Sequence, residues 1–454
     1  MQKKYSFLAA AAEVDITPPL GTIIGVDFLP HYARFIHDPL YVKSLIFKNK
    51  SQTLMIIVVD ICIMDTDFMD EVKAEIQQQT GIKPENILLS SNHNHASGAI
   101  VGFLGGAADL TYRKKLPSLI ISSVNQALSR LKPAKIGYGS AQVPEYVVCR
   151  RYEMEGDYEA KNPVSFQLDS IKTNPFGGES KIIKSNAEPD PEACFLAVKD
   201  LENNWISVLG NYSLHYAADW ANDTITGDYF GVFADKIKEN LGANKNFVGI
   251  MSNGTMGNIN IWDFKNPERL PKEHFAKSKL IGEALANRFS AQIANIEWTE
   301  NLDLNVKYEE INIKIRKPNV EELAKATKAL IEKDFDNLSI KSDFIQRIYD
   351  REQVLLNEYP DQITLGIQAL KIGNIIIGAL PGEFFAETGL SLKEDNKPYN
   401  YFSITLSNTY GGYIPPKHEM EKGGYETWRA RTSCMEIDAE EKIRLQLKTL
   451  IKKL

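Results

Sequence analysis

Along this 454-residue chain, apolar runs repeatedly stop at a polar, chemistry-bearing residue. Leu54-Met55-Ile56-Ile57-Val58-Val59 is unbroken and closes on Asp60; a short run without alternation suits a strand buried on both faces. From Asp67 to Gln79 apolar residues recur at helical spacing, Gly81 supplies a stop, and Ile87-Leu88-Leu89 reads as the next strand. Together they predict a β-α-β unit with parallel strands. The pattern returns at Trp205 to Leu214, which ends at His215, followed by a helix from Tyr229 to Leu241 with Asp228 as its cap and a strand from Phe247 to Met251. That strand empties into Ser252-Asn253-Gly254-Thr255-Met256-Gly257-Asn258, whose composition predicts a tight loop. A hairpin-like pair, Ile363 to Lys371 and Ile375 to Leu380, turns at Gly373-Asn374 and ends in Pro381-Gly382-Glu383. A last strand, Tyr401 to Leu406, opens into a loop ending Gly411-Gly412-Tyr413.

These units predict an α/β protein: a mixed, largely parallel β-sheet flanked by helices, with the ligand site at the carboxyl ends of strands, where open α/β sheets bind their ligands. No internal repeat or low-complexity linker divides the chain, so residues 1–454 read as one catalytic domain. Two stretches read as peripheral: the Pro/Gly/Ser/Lys-rich loop Thr173 to Pro191, and a helical embellishment at about 320–360, where Leu323, Ala326, Leu330 and Ile331 fall at helical spacing.

Composition narrows the function. There are 52 basic and 59 acidic residues, a net charge of −7, and no basic run, which argues against nucleic acid as a partner. Cys62, Cys149, Cys194 and Cys434 are scattered without a Cys-x-x-Cys pair, so they read as reduced packing residues. Lys3 and Lys4 precede an apolar stretch that Glu13 and Asp15 interrupt; this reads as a first strand and not as a signal peptide. No apolar window is long enough for a transmembrane helix. The expectation is a soluble protein, cytoplasmic or the mature form of an exported one, acting on a small-molecule or lipid-like substrate.

The chemistry concentrates where the apolar runs end. His93-Asn94-His95 places two of seven histidines just past a strand. Neutral imidazole is a common zinc ligand, but zinc needs further donors from separate elements. Five segments, in order, resemble the catalytic domain of the neutral/alkaline ceramidase family: Val14-Asp15-Ile16-Thr17-Pro18-Pro19-Leu20-Gly21, His93-Asn94-His95-Ala96-Ser97-Gly98, Asn253-Gly254-Thr255-Met256-Gly257-Asn258-Ile259-Asn260, Pro381-Gly382-Glu383-Phe384 and Gly412-Tyr413-Ile414-Pro415. The resemblance implies Zn2+ held by His93, His215, Glu383 and Tyr413. It places His95 beside the scissile group and makes Arg150 and Tyr425 donors to the substrate carbonyl, with Arg151 competing for the arginine position. Two imidazoles and a carboxylate leave zinc an open position for water, and a dication favours the phenolate of a coordinated tyrosine.

The activity this implies is zinc-hydroxide attack on an amide (N-acyl) bond. Asn260 stands where ceramidases carry a serine, and asparagine cannot be acylated, so a serine route does not fit. The chain reads as a short bacterial-type homologue without the C-terminal immunoglobulin-like domain. His-Asn-His replaces the family's His-Thr-His, and Gly-Tyr-Ile-Pro-Pro replaces a threonine-bearing segment, which predicts a differently shaped pocket. Two alternatives therefore stand beside the amidohydrolase: a zinc hydrolase acting on a carbohydrate-linked ester, amide or glycoside, and a non-catalytic metal-binding protein. A long apolar channel over the metal would favour the first reading, a wide polar cleft with stacking aromatics the second, and a metal closed off by protein atoms the third.

Overall fold

The computed structural model describes residues 7–25, 28–332 and 344–454. Eight strands form the larger sheet: β1 (Phe7–Asp15), β2 (Tyr41–Asn49), β3 (Thr53–Val59), β4 (Ile87–Ser91), β5 (Lys132–Gln142), β6 (Glu192–Asp200), β7 (Trp205–Tyr212) and β8 (Val248–Asn253), in the order β8-β7-β6-β5-β1-β2-β3-β4. A second sheet holds β9 (Leu304–Lys314), β10 (Gln362–Ile372), β11 (Ile375–Ala379) and β12 (Asn400–Ile404), in that order. The helices are α1 (Thr66–Thr80), α2 (Leu110–Ser129), α3 (Asp228–Asn240), α4 (Ala276–Ile293), α5 (Val320–Glu332), α6 (Phe344–Asn357), α7 (Ala386–Asp395), α8 (Lys417–Lys422) and α9 (Ala439–Ile451).

Strand alternation explains the layering. Leu54, Ile56 and Val58 of β3 face a core shared with Leu370, Ile377 and Phe402 of the second sheet. Met55, Ile57 and Val59 face the helices α1 and α2 through Phe68, Val72 and Ile120. Farther along the same sheet, Phe195 and Val208 pack on Phe233 and Phe289 of α3 and α4. The far face of the second sheet is covered by α7 and α9 through Leu392, Ile443 and Leu447. The result is a helix-sheet-sheet-helix sandwich, which is why the central strands read as continuous apolar runs.

The α/β class and the mixed sheet agree with the sequence, but the expectation of a largely parallel sheet is corrected. Within the larger sheet only β3 with β4 and β7 with β8 run parallel; the ladders between β7 and β3 are antiparallel. Most neighbours in the sheet are antiparallel, as in β2-β3 and β6-β7, where a short connection reverses the chain. Within these two sheets, parallel pairing appears where a helix intervenes: β3-α1-β4, β7-α3-β8 and, in the second sheet, β11-α7-β12. The predicted hairpin turn at Gly373 is present, with Gly373 at φ 62°. Asp228 does not cap α3 from outside. It is the first helical residue, after Gly227, and its carboxylate accepts from the Ala217 and Tyr229 amides. The four cysteines are buried and unbridged. Of the expected embellishment at 320–360, residues 333–343 lie outside the described residues, as do Lys3 and Lys4. Among the described residues no helix is long and apolar enough to cross a membrane.

Candidate metal centre

Each helical crossover delivers one donor. His93 follows β4, His215 follows β7 and Glu383 follows β11, so the three parallel pairs aim their carboxyl ends at a common point. The backbone is held there by polar side chains. Asn92 donates to Asp60 Oδ1 at 2.7 Å, while Asp60 Oδ2 accepts from the Tyr41 amide at 2.8 Å and faces Lys43 Nζ at 3.6 Å. Asp60 thus ties the loops after β3 and β4 together. His93 itself sits at φ 61°, a left-handed conformation uncommon outside glycine, which turns its side chain sharply out of the strand path.

His93 Nδ1 lies 3.1 Å from the Cys62 carbonyl oxygen and His215 Nδ1 lies 3.2 Å from that of Met256. Donation at Nδ1 leaves each Nε2 as a lone-pair donor, the arrangement seen in metal-ligating histidines. Those Nε2 atoms stand 3.3 and 3.5 Å from Glu383 Oε2. Glu383 Oε1 accepts from the Tyr410 hydroxyl at 3.0 Å, whereas the buried Oε2 has no hydrogen-bond partner. Ligands about 2.0–2.1 Å from a tetrahedral zinc lie about 3.3–3.4 Å from one another. The spacing and the orphaned oxygen therefore fit a zinc ion.

Charge in the site is unevenly spread. Burial, with the charges of Arg150 and the neighbouring imidazoles, pushes His215 well below the usual imidazole range, and burial with His93 and Arg150 does the same to His95. Burial also opposes charge on His93, but the Cys62 thiol and Glu383 outweigh it and raise its pKa. Glu383 stays ionised despite burial because His93 and Arg150 face it.

The other sequence-derived residues gather here too. His95 Nε2 is 3.2 Å from His93 Nε2. Tyr413 pairs with Glu383 in a short parallel ladder, and its phenol feels the charges of both Glu383 and Arg150. Tyr425 packs edge-on against Tyr413 with ring centroids 5.5 Å apart. Of the two arginines, Arg150 lines the cavity above the donors. Its guanidinium lies over the Tyr413 ring at 5.3 Å, with Nε on Glu426 at 2.7 Å and Nη2 on the Gly257 carbonyl at 2.8 Å. Arg151 points away into full burial, bound to Glu419 and Glu426. Glu426 joins both arginines and Thr173.

Above the donors opens a cavity of about 740 Å³ whose lining includes His95, His215, Arg150, Tyr413 and Tyr425. Several of its residues escaped sequence reading. Tyr216 packs on His95 with ring centroids 4.3 Å apart and planes tilted by 40°, and Tyr410 orients Glu383; Glu426, adjacent to Tyr425, sets both arginines. Only adjacency to the motifs marked Tyr216, Tyr410 and Glu426. The loop expected to be peripheral supplies Thr173, Asn174 and Phe176 to the cavity wall, and α6 supplies Ile345. Asn260, buried, donates to Asn174 at 2.6 Å.

No family model matches the chain, and no curated protein matches it. Solved structures do, two ceramidases among them. The neutral ceramidase from Pseudomonas aeruginosa superposes with a TM-score of 0.70 at 13% identity, covering 99% of this chain and 74% of that one. A ceramidase complexed with C2 superposes with a TM-score of 0.70 at 13% identity, over 98% of this chain and 75% of that one. The chain therefore has the fold of these ceramidases.

Proposed function

We propose that this ceramidase-fold chain is a zinc-dependent hydrolase that cleaves an amide (N-acyl) bond. The observation that carries the reading is the convergence of His93 Nε2, His215 Nε2 and the orphaned Glu383 Oε2 at the floor of the cavity. These residues and Tyr413 would hold the zinc, which would supply a Lewis acid able to polarise a carbonyl and acidify water. The chain's own residues do the rest. Arg150 and Tyr425 face the cavity and donate to the carbonyl oxygen as it gains negative charge. His95, neutral and on the cavity wall, accepts a proton from the attacking water and returns it to the leaving nitrogen. Water oxygen bonds to the acyl carbon, the C–N bond breaks, and acid and amine leave. Glu426, by holding Arg150 from behind, positions the guanidinium without touching substrate. An open cavity over the donors argues against the non-catalytic alternative, which needs a closed coordination shell.

The test is elemental analysis of the parent beside a His93→Ala/His215→Ala double variant, with release of free amine from N-acyl substrates assayed on both. About one zinc per chain, lost together with amine release in the variant, is the expected result. A zinc-free parent that still hydrolyses would overturn the reading.

A further inference from the structure

Among the described residues the lining of the cavity contains Arg150, Lys161 and Lys172 and no carboxylate, although the chain as a whole carries a charge of −7. Glu383 lies beneath the lining, among the donors. A cationic cavity in an acidic protein concentrates anionic ligands. The three cations differ in what they are free to do. Arg150 is engaged by Glu426 and Gly257, and Lys161 is an exposed partner of Glu159 at 2.9 Å. Lys172 is half-buried on the strand Ile171–Thr173, opposite Tyr152, and makes no ion pair or hydrogen bond among the described residues. The acidic group that acts on it, Asp169, is already engaged: Oδ2 accepts from the Gly424 amide at 3.0 Å and the Trp428 indole at 2.6 Å, and Oδ1 accepts from Asn162 at 3.2 Å. Burial lowers the Lys172 pKa although Asp169 opposes the shift, so the described residues offset the cost of burying its charge only in part. An ammonium withdrawn from water without a partner is costly, and a ligand anion would relieve that cost.

The rest of the wall suits a flat, hydroxylated ring better than an alkyl tail. Three of the five tryptophans, Trp220, Trp262 and Trp428, line it. The indole N–H groups of Trp220 and Trp262 have no partner among the described residues, and Phe176 packs edge-on against Trp262 with centroids 5.3 Å apart while remaining 65% exposed. Asn174 and Asn222 add amides beside them. Aromatic faces interspersed with polar groups bind rings with an apolar face and a polar rim.

We propose that the cavity selects an anionic sugar-like N-acyl compound, a hydroxylated ring bearing a sulfate, phosphate or carboxylate group that Lys172 receives while the ring lies against Trp220 and Trp262. The N-acyl part rests on the proposed amide hydrolysis; the anion and ring recognition does not. The test is calorimetric titration of the zinc-loaded protein with N-acetylglucosamine, its 6-sulfate and its 6-phosphate, at one fixed salt concentration. A charged sugar is expected to bind roughly tenfold or more tightly than the neutral one, the scale of a charge-assisted hydrogen bond. Lys172→Met removes the preference and leaves neutral-sugar affinity and zinc content unchanged, Lys172→Arg retains it, and Trp262→Ala weakens every sugar. Absence of binding, equal affinity for charged and neutral sugars, or a preference that survives in Lys172→Met overturns the proposal. Free amine is measured in parallel. An anion preference without amine release from any N-acyl substrate means that the bond assignment fails and the anion site stands. Cleavage of N-acyl sphingosine without charged-sugar binding means the reverse.

Discussion

Asp228 illustrates how a single side chain in this protein acts far from its ordinary chemistry. Burial, reinforced by the neighbouring Asp219, raises its pKa from 3.8 to about 8, against the opposing donation of the Tyr229 and Ala217 amides. A carboxyl with a raised folded pKa keeps its proton in the native state where the unfolded chain has released it. Stability therefore falls as pH rises from about 4 to about 8, by up to roughly 1.4 kcal/mol per pH unit from this group. Asp228→Asn removes the titration, and asparagine tolerates the left-handed backbone here, at φ 51°. Denaturant titrations at pH 5 and pH 8 should show the variant gaining on the parent as pH rises; parallel pH profiles for the two would contradict the assignment. At the metal site the corresponding constraint is steric. A Cβ on Gly257 would stand 2.4 Å from the Glu383 carbonyl oxygen, so Gly257→Ala must displace the segment that carries Glu383. The chain should fold, but competition with a chelator should reveal zinc affinity reduced by roughly tenfold or more, the scale seen when ligand support is lost. Unchanged affinity would mean that the loop yields elsewhere.

Between elements, the polar groups that join the two sheets sit at the same edge as the donors. Asn408, at φ 66°, receives Lys73 Nζ from α1 at 2.7 Å and the Leu89 amide of β4 at 3.3 Å on one oxygen, and donates to Gln368 of β10 at 3.0 Å. One amide thus links a helix, the larger sheet and the second sheet. Asn408→Ala strands a buried ammonium and a buried amide, for an expected loss of about 2–4 kcal/mol in stability by chemical denaturation. A loss under about 0.5 kcal/mol would show that the link is dispensable. The same edge explains which predicted elements were reliable. Two of the three β-α-β units, β3-α1-β4 and β7-α3-β8, were legible because apolar runs and a helical repeat lie consecutively in the chain; the third was read as a hairpin and a separate last strand, without α7. The antiparallel middle of the sheet was not legible, since β5 and β6 pair across the 49 residues 143–191 and nothing local records that pairing.

For the molecule as a whole, the three donors come from two sheets, so occupancy of the centre should brace the sandwich. Free zinc at a hundredfold excess over its dissociation constant adds about 2.7 kcal/mol to the folded state, which for a chain of 454 residues raises the melting temperature by about 3 °C. Calorimetry with and without chelator should show this shift in the parent and none in the His93→Ala/His215→Ala variant. An identical shift in both would place the bound metal elsewhere, for instance at Glu387, His418 and Glu419, the other group outside this centre whose atoms come close enough to share a cation.

The amino-acid order by itself determined the α/β character, two of the three crossovers, and that His93, His215 and Glu383 lie just past apolar runs, where the resemblance to ceramidases made them candidate donors. Only the tertiary structure decided that these ends meet. Convergence depends on sheet order and on the stacking of two sheets, which are settled by burial across hundreds of residues. The choice of Arg150 over Arg151 was likewise tertiary: adjacent residues on an extended chain point to opposite sides, Glu419 occupies the side that Arg151 faces, and Glu426 bridges the two arginines. Lys172, Trp220 and Trp262 carry no signal in sequence for the same reason. A loop's composition records that it turns, and the wall it becomes depends on the edge over which the fold lays it.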